Sequence, residues 1–502
     1  MSTTADDPTR TPRPVPAEPA LTDGRVLLDG DGLTAGDVVR LADGTAVPEV
    51  AGRAVERVRR SWRAAQRLAA AGRLYGRGTG VGAHRSVAVG PDDETGHGLR
   101  LLRSHAGGGG TPLPARQVRA MLAVRTNQLL AGGSGIHPDF VHALTEALRR
   151  GLHPEVPEYG GLGTGDLTAL AETGLALIGE RPWAPHPGAA PAPVTLRPGD
   201  ALALLSSNAL VLGQTALAWQ DLDTLLRATH AVAALSLTAV SGSPEAYAAP
   251  VHALRPYPGP ARAAAEVRRL LGLPDRPYGQ GRRIQDPYGF RAFPQVHGCA
   301  LDAAEALRRI AETEINCPSE NPLIALDGSA AHHHGGFYAA PLALALDALN
   351  LALLQTAQLS VARLTALGRP DLTGLPAFLA VGPAGSSGTM ILEYTATSAL
   401  AELRACAVPA STGHAVLSHG LEEAASFASQ AARQALRAAD AYGIVLACEL
   451  VTAVRALRLH PAPPPVRAFT TASRALPTGT ADRPLATDLA TARELLTALA
   501  RL

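Results

Sequence analysis

Residues 340–364, "APLALALDALNLALLQTAQLSVARL", decide the fold class of this 502-residue chain. Alanine and leucine occupy every side of a helix drawn through this stretch, and its one proline stands at the second position. A helix that is apolar on all faces has to be surrounded by other helices. The stretch therefore predicts the centre of a helical bundle, and the chain is long enough to bury a large core around it.

Apolar residues recur at helical spacing on both sides of this stretch. Towards the N-terminus, helices are predicted at residues 48–71, at "LPARQVRAMLAVRTNQLLA" with a stop at Gly132 and Gly133, at "HPDFVHALTEALRRG" and at "DLTALAETGLALIG". Beyond residue 200 the predicted helices are 215–241, 260–272, 300–315, 340–367, 388–407 and 421–458. The glycine-rich residues 75–98 predict a loop, and a proline-rich break at 460–484 precedes a last short helix.

The pattern as a whole predicts a mainly α-helical protein. We divide it into a disordered leader (1–21), an N-terminal domain (22–205), the central helical bundle (206–460) and a C-terminal helical segment (461–502). Bundle faces this apolar are unusual for a monomer, so we expect an oligomer.

Charge and cysteine content restrict the partners and the compartment. With 45 basic and 44 acidic residues, the chain has no excess charge for a nucleic acid or an anionic membrane. It contains no lysine, which excludes a lysine nucleophile. The N-terminus has no apolar signal core, no apolar run of membrane length is seen, and the four cysteines form no CxxC pair. We therefore expect a cytoplasmic protein with buried free thiols.

Polar clusters interrupt the apolar background and supply the candidate site residues. They are Tyr75 in "YGRGTGVG", Ser104 and His105 in "LLRSHAGGGG", Gln285, Tyr288 and Arg291 in "RRIQDPYGFRAFPQVHG", Phe337 in "HHHGGFY", and Glu422 at the start of a predicted helix. Taken singly, each has a structural explanation, such as an ion-paired arginine or an acid at a helix N-terminus. Three adjacent histidines point in different directions, so no metal site is predicted. The glycine loops lack the spacing of nucleotide-binding loops.

The order of these clusters resembles the histidine and aromatic amino acid ammonia-lyase family. The motifs are "YGRGTGVG", "RSHAGGGGTPLPARQVRAMLAVRTNQLLAGGSGIHP", "VPEYGGLGTGDLTAL", "QDPYGFRAFPQVHG", "EINCPSENPLIAL" and "GLPAFLAVGPAGSSGTM", and the similarity runs from about residue 22 to "DRPLATDL". The resemblance implies an ammonia-lyase-like fold with a long central helical bundle and few short strands. It also implies a homotetramer with active sites built from three subunits, and an electrophile, methylidene-imidazolone, that forms from an Ala-Ser-Gly tripeptide.

The resemblance assigns roles to the candidate residues. Tyr75 resembles the catalytic base, and Tyr288 the second active-site tyrosine. Arg291 resembles the arginine that binds the substrate carboxylate, a task that suits its bidentate geometry. Ser104-His105 resembles the pair of the histidine-specific branch, which implies a polar or heteroaromatic substrate. Further pocket positions of the family match Gln285, Phe337 and Glu422, and its active-site asparagine aligns with Ser206 although Asn208 is nearby.

The electrophile loop departs from the family. In "GGLGTGDL", one residue shorter than the family motif, Gly163-Thr164-Gly165 stands in the Ala-Ser-Gly place. Cyclisation requires the amide nitrogen of Gly165 to attack the carbonyl of residue 163, and glycine at 165 keeps that approach open. Dehydrated threonine would give an ethylidene group, whose extra methyl shields the electrophilic carbon. We therefore expect no cofactor, with an imidazolone from Gly163, Thr164 and Gly165 as the alternative.

Three functions remain open. The preferred one is a lyase-fold enzyme without the prosthetic group, catalysing a tyrosine-base elimination, or the reverse addition or cyclisation. Its substrate would be amino-acid-derived, would carry a carboxylate and would belong to specialised metabolism. The second is a conventional ammonia-lyase or aminomutase with an unusual electrophile. The third is a non-catalytic homologue.

Overall fold

The computed structural model describes residues 24–72, 74–185, 190–278, 283–462 and 465–502. The predicted leader, 1–21, lies outside the described residues. Helices dominate the remainder, and the eight strands within it have two to four residues each. The prediction of a mainly α protein with few short strands is confirmed.

The N-terminal elements surround the segments that carry the candidate site. They are β1 (Arg25–Leu28), α1 (Ala35–Ala42), β2 (Val47–Val50), α2 (Gly52–Ala71), α3 (Glu94–His105), β3 (Gly109–Pro112), α4 (Ala115–Ala131), α5 (Pro138–Arg149), β4 (His153–Pro154), β5 (Pro157–Tyr159), α6 (Leu167–Leu177), β6 (Trp183–Ala184) and α7 (Asp200–Leu205). The strands form two-stranded sheets: β1 pairs with β2 in parallel, while β3–β5 and β4–β6 are antiparallel.

The bundle follows. Its elements are α8 (Ala209–Ala239), α9 (Ala249–Ala253), α10 (Pro258–Leu271), α11 (Tyr288–Arg291), α12 (Phe293–Ile315), β7 (Leu323–Ile324), β8 (Ala331–His332), α13 (Ala340–Leu367), α14 (Pro370–Thr373), α15 (Met390–Cys406), α16 (Ala428–Leu459), α17 (Arg467–Ala475) and α18 (Ala486–Leu499). Strands β7 and β8 pair as a small antiparallel sheet.

The centre of the bundle is built by α8, α12, α13 and α16. Helix α16 packs along α8, α13 and α15, and α4 packs on the other side of α8. Small residues allow these helices to approach closely. A Cβ added at Gly213 of α8 would lie 2.7 Å from the backbone nitrogen of Met121 in α4. Alanine and glycine at such positions therefore set the spacing of the bundle.

A buried ion pair joins three of the central helices. Arg363 of α13 contacts Glu449 of α16 through Nε at 2.6 Å and Nη2 at 2.8 Å. The hydroxyls of Ser236 and Ser360 donate to the same carboxylate. The Arg363 and Glu449 side chains are 1% and 0% exposed. A third guanidinium contact, from Nη1 to Gly289 O at 3.1 Å, connects this pair to α11.

Several predicted boundaries are wrong for physical reasons. Residues 47–50 form β2 before α2, because they complete the parallel pair with β1. The predicted loop 75–98 ends early, since α3 begins at Glu94. The helix predicted over 421–458 begins only at Ala428, so Glu422 lies outside it. The proline-rich break contains α17. By contrast, residues 340–367 form one helix as predicted.

Two expectations about exposure also need correction. In the described residues, two helical stretches have the length and apolar composition to cross a membrane, residues 200–239 and α13. The first is 89% buried within the protein, as expected for a core helix. All four cysteines are free, but only Cys448 is buried: Cys317 and Cys406 are partly buried, and Cys299 is exposed.

Candidate active site

The loop that begins at Tyr75 folds back, so that its backbone contacts the phenol oxygen of Tyr75. The loop contains a 3₁₀ turn at Gly82–His84. Gly82 N–H donates a hydrogen bond to Tyr75 Oη over 2.7 Å. Ala83 N–H donates to Ser418 Oγ over 2.9 Å, a contact between residues 335 positions apart. Tyr75 is therefore held by its loop, and the loop is held by a distant segment.

A cavity of about 720 Å³ opens beside Tyr75. The cavity lies between the Tyr75 loop, α3 and the segment that precedes α16. Four of the predicted site residues line it, namely Tyr75, Ser104, His105 and Glu422. Leucines on α3, α6 and α7, together with valines and alanines of the Tyr75 loop, provide the apolar part of its wall. A cavity of this volume, with a few polar groups on an apolar wall, is typical of a small-molecule site.

The groups around Tyr75 shift the pKa of its phenol in opposite directions. Burial raises the pKa of Tyr75, and the nearby carboxylate of Glu422 adds to the rise. The Gly82 N–H and the positive charge of Arg85 act in the opposite direction, because both favour the phenolate. Such a phenol, in a cavity and with its charge controlled by neighbours, has the environment of a proton-transfer group.

Ser104 and His105 form a polar pair at the C-terminal end of α3. His105 Nδ1 lies 2.9 Å from Leu101 O and 3.1 Å from Ser104 Oγ. A carbonyl oxygen can only accept, so Nδ1 carries the proton in this arrangement. In the neutral ring, Nε2 is then the acceptor nitrogen. The pair thus offers the cavity an imidazole in one tautomer beside a hydroxyl.

The predicted electrophile loop, Gly163 to Gly165, is held by hydrogen bonds on both sides. Gly163 O accepts from Ser426 Oγ at 2.7 Å and from Ala339 N–H at 3.1 Å. Gly165 N–H donates to Asn208 Oδ1 at 2.9 Å. The loop therefore rests against the segment before α13 and the segment before α16. Leu167, which lies just beyond it, lines the Tyr75 cavity.

Asn208 and Asp166 anchor the same loop to the start of α8. Asn208 Nδ2 donates to Phe337 O at 2.5 Å, so the backbone of Phe337 reaches the loop through this amide. Asp166 is 1% exposed, and its Oδ2 accepts from Val211 N–H at 3.0 Å. Burial raises the pKa of Asp166 to about 7.

The backbone at Gly163 has no room for a side chain. Its φ is +79°, a conformation that favours glycine. A Cβ added there would lie 2.1 Å from Ser426 Oγ and 2.7 Å from the backbone nitrogen of Ala428. The neighbouring Thr164 is half-buried, and among the described residues its hydroxyl has no hydrogen-bond partner.

Ser206 and the histidine cluster lie on the other side of Tyr75. Ser206 and Tyr75 line a small separate cavity of about 30 Å³. Tyr75 N–H donates to His333 Nε2 at 3.4 Å, and His334 Nε2 donates to Glu320 O at 2.8 Å. Within the described ranges, no group of three or more His, Cys, Asp or Glu side chains is placed to hold a metal ion.

Gln285, Tyr288 and Arg291 do not line the Tyr75 cavity of the same chain. Tyr288 is 66% exposed, and the Arg291 guanidinium lies 4.3 Å from the centre of its ring. Arg291 Nε donates to Asp286 O at 2.8 Å. The single chain therefore gathers one group of predicted site residues around Tyr75 and presents a second group on a separate surface.

Comparison with known proteins explains why these residues occur together. The family model for aromatic amino acid lyases matches residues 33–476. This chain belongs to the aromatic amino acid lyase family. Its predicted family is confirmed, and the chain is an enzyme of the carbon–nitrogen lyase type.

Curated relatives in the aromatic amino acid lyase family match most of the chain. The histidine ammonia-lyase of Geobacillus thermodenitrificans is 34% identical over 482 residues, which cover 92% of this chain and 95% of that protein. The histidine ammonia-lyase of Bacillus subtilis is 32% identical over 445 residues, covering 86% of this chain and 88% of the relative.

Solved structures of similar proteins share the fold over nearly the whole chain. The ergothioneine-degrading enzyme ergothionase from Treponema denticola has a TM-score of 0.87 at 27% identity, covering 95% of this chain and 99% of its own. Tyrosine aminomutase from Streptomyces globisporus has a TM-score of 0.88 at 26% identity, covering 95% and 97%. The ammonia-lyase-like fold is therefore confirmed.

Three residues that hold the segments of the candidate site together were given no role from the sequence. Asn208 and Ser426 hold the Gly163–Gly165 loop, and Ser418 holds the Tyr75 loop. The sequence signal was weak, since each is a small polar residue outside the positions that the family motifs mark. Their contacts join segments far apart in the chain, which spacing alone does not reveal.

Proposed function

We propose that this chain catalyses elimination, or the reverse addition or cyclisation, with Tyr75 as the proton-transfer group and without a methylidene-imidazolone. The substrate class is an amino-acid-derived molecule with a carboxylate and a polar or heteroaromatic side chain. The observation that carries the proposal is the cavity that joins Tyr75, Glu422, Ser104 and His105. A phenol that lines this cavity beside other polar groups, with its oxygen hydrogen-bonded, favours catalysis over the non-catalytic alternative.

The residues present do not fit the prosthetic group of the family. Position 164 is threonine, so dehydration cannot give a methylidene carbon. The Cβ of the family's alanine would collide with Ser426 and with the backbone at Ala428. The Thr164 hydroxyl, which would have to leave, has no donor among the described residues. We therefore assign proton transfer to the side chains of the cavity.

Without that electrophile, the acidity of the substrate has to come from the substrate itself. An unactivated β-proton of an amino acid is removed too slowly for useful catalysis. A quaternary ammonium group cannot lose a proton and remains a leaving group at every pH. A substrate with such a group, or with a more acidic proton, suits a site that supplies general base catalysis alone. The likeness to ergothionase is consistent with a polar heteroaromatic substrate.

We further propose that the site is completed by other copies of the chain in a homotetramer. Tyr288 is exposed and Arg291 is partly exposed, and neither lines the Tyr75 cavity. The most apolar 18-residue window of α13 is only 50% buried. Leu344 and Leu351 of that helix are 61% and 43% exposed. A neighbouring copy would cover these leucines and could bring Arg291 to the cavity as the carboxylate-binding group. Gln285 lies on the same exposed segment.

The alternative function is that of a conventional ammonia-lyase or aminomutase with an unusual electrophile. One observation favours it. Two donors, Ser426 Oγ and Ala339 N–H, polarise the Gly163 carbonyl, and Asn208 accepts the Gly165 N–H. These contacts suit a backbone that cyclises at this position. The curated relatives named histidine ammonia-lyase are consistent with the same alternative.

A substrate panel separates these functions. The purified enzyme is incubated with L-histidine, L-phenylalanine and L-tyrosine, with the trimethylammonium betaines of the same amino acids, and with the corresponding acrylates plus ammonia. We expect no ammonia from the free amino acids and conversion of at least one betaine or acrylate, measured by mass spectrometry. Rapid release of ammonia from a free amino acid would favour the conventional lyase. No conversion of any member would count against catalysis on this substrate class.

A further inference from the structure

We propose that Ser418 is a positioning residue for Tyr75, acting through the backbone of the turn at Gly82–His84. The inference rests on the proposed role of Tyr75 and extends it to a residue on a different segment. One backbone conformation and two hydrogen bonds support it. They are the conformation of the Ser418 turn, the hydrogen bond that the Tyr75 loop donates to Ser418, and the hydrogen bond that the same loop donates to the phenol oxygen.

The turn at Ser418–Gly420 has an unusual backbone. Ser418 and His419 have φ values of +54° and +55°, although neither is glycine. Left-handed backbone at a residue with a side chain costs about 1–2 kcal/mol. Leu417 N–H donates to Glu422 O at 2.8 Å, and Glu422 N–H returns a bond to Leu417 O at 3.3 Å. This pair closes the turn at its base.

The conformation places the Ser418 hydroxyl on the Tyr75 loop. Ser418 Oγ accepts from Ala83 N–H at 2.9 Å. It also lies so close to Gly82 that a Cβ added there would be 2.8 Å from it. Gly82, with φ of +58°, therefore allows the two segments to meet. Backbone strain of this kind persists only where surrounding contacts maintain it.

The next contact transmits this position to the phenol. Gly82 N–H, one residue before Ala83, donates to Tyr75 Oη at 2.7 Å. A donor to the oxygen stabilises the phenolate relative to the phenol. If the Ser418 contact is lost, the 3₁₀ turn can rotate, and the Gly82 donor no longer points at Tyr75. Ser418 also lines the cavity, but its hydroxyl is hydrogen-bonded to Ala83 N–H and not to the phenol, so we assign its effect to the position of the Tyr75 loop.

Other groups face Tyr75 and have to be kept constant in a test. Glu422 and Arg85 act on the phenol electrostatically, and His333 accepts the Tyr75 backbone N–H. Among the described residues, none of these three is hydrogen-bonded to the Ser418 hydroxyl. Substitutions at Ser418 therefore change the position of the Gly82 donor while the charged residues remain.

The test is a titration of Tyr75 in the full-length protein labelled with fluorotyrosine, followed by ¹⁹F NMR. The chain has nine tyrosines, so the Tyr75 signal is identified by its loss in Tyr75→Phe. Ser418→Ala removes the acceptor, and Ser418→Gly removes it while allowing positive φ. Leu421→Ala is the matched control, because it changes an exposed side chain of the same turn.

We expect the Tyr75 pKa to rise in both Ser418 variants and to stay at the wild-type value in Leu421→Ala. Turnover of the converted panel member should fall about 10-fold or more in kcat, with little change in KM, since misplacement acts on the reacting group. Ser418→Gly keeps the test decisive if Ser418→Ala misfolds. An unchanged Tyr75 titration in Ser418→Gly, or an equal shift in Leu421→Ala, overturns the proposal. Failure of the proposed function would give a different result: the Tyr75→Phe variant would turn over substrate at the wild-type rate.

Discussion

Tyr75→Phe is expected to lower turnover about 100- to 10,000-fold, the range that general acid–base groups usually contribute. The substitution removes only the phenol oxygen, which lines the cavity and accepts the Gly82 N–H at 2.7 Å. Substrate binding should change little, because the aromatic ring stays in place. The measurement is the initial rate on the betaine or acrylate that the wild-type enzyme converts.

The control for this prediction is Tyr257→Phe, which makes the same chemical change at a residue that is 64% exposed and does not line the cavity. It should keep the wild-type rate. Circular dichroism and the elution volume on size exclusion should match for all three proteins. Turnover within about 3-fold of wild type in Tyr75→Phe would remove Tyr75 from the mechanism, since general acid–base groups contribute far more.

Glu449→Ala is expected to destabilise the protein by about 3–5 kcal/mol, which is the usual cost of leaving a buried charge unpaired. The substitution leaves the guanidinium of Arg363, which is 1% exposed, without its carboxylate. Ser236 and Ser360 would also lose the acceptor of their hydroxyls. The result should be a large drop in the apparent Tm, measured at fixed protein concentration.

The matched control replaces both charges, as Arg363→Met with Glu449→Leu. Removing the two partners together leaves no unpaired charge, and buried pairs exchanged for apolar residues are often as stable as before. The double variant should therefore melt above Glu449→Ala. If Glu449→Ala melts as the wild type does, the pair is not a structural centre of the bundle.

The bundle was the most predictable part of the molecule. Residues 340–367 gave the boundaries of α13 directly, because an apolar run without internal proline or glycine has few alternatives to a buried helix. The start of α16 was not predictable. Residues 421–427 have helical composition, but Phe427 N–H donates to Leu162 O, and Phe427 has φ of +57°. A tertiary contact overrides the local preference there.

The start of α3 was missed for a related reason. Its first turns contain Gly96 and Gly98, and glycine usually marks a loop. Gly98 packs against the next layer, since a Cβ added there would touch Ala201 and Leu196 at 3.5 and 3.6 Å. Gly98 therefore lies in a helix where the neighbouring segments pack closely, whereas the sequence pattern indicated a flexible loop.

The candidate site was predictable in its residues and less so in its supports. The motif order pointed to Tyr75, Ser104, His105 and Glu422, and these four line one cavity. Asn208 was passed over in favour of Ser206, yet Asn208 is the residue whose amide holds Gly165. This contact forms because the short connection between α7 and α8 lies beside Gly165 in the folded protein. Local sequence does not reveal that proximity.

The central claim is that residues 163–165 remain an unmodified Gly-Thr-Gly segment. Threonine at 164, a glycine at 163 that admits no Cβ, and a hydroxyl without a partner among the described residues together argue against the prosthetic group. The most direct test is the intact mass of the purified protein under denaturing conditions, followed by mapping of the peptide that contains these residues. We expect the mass of the unmodified sequence and an unmodified peptide. A deficit of two waters confined to residues 163–165 would contradict the account and make the chain a conventional lyase with an altered electrophile.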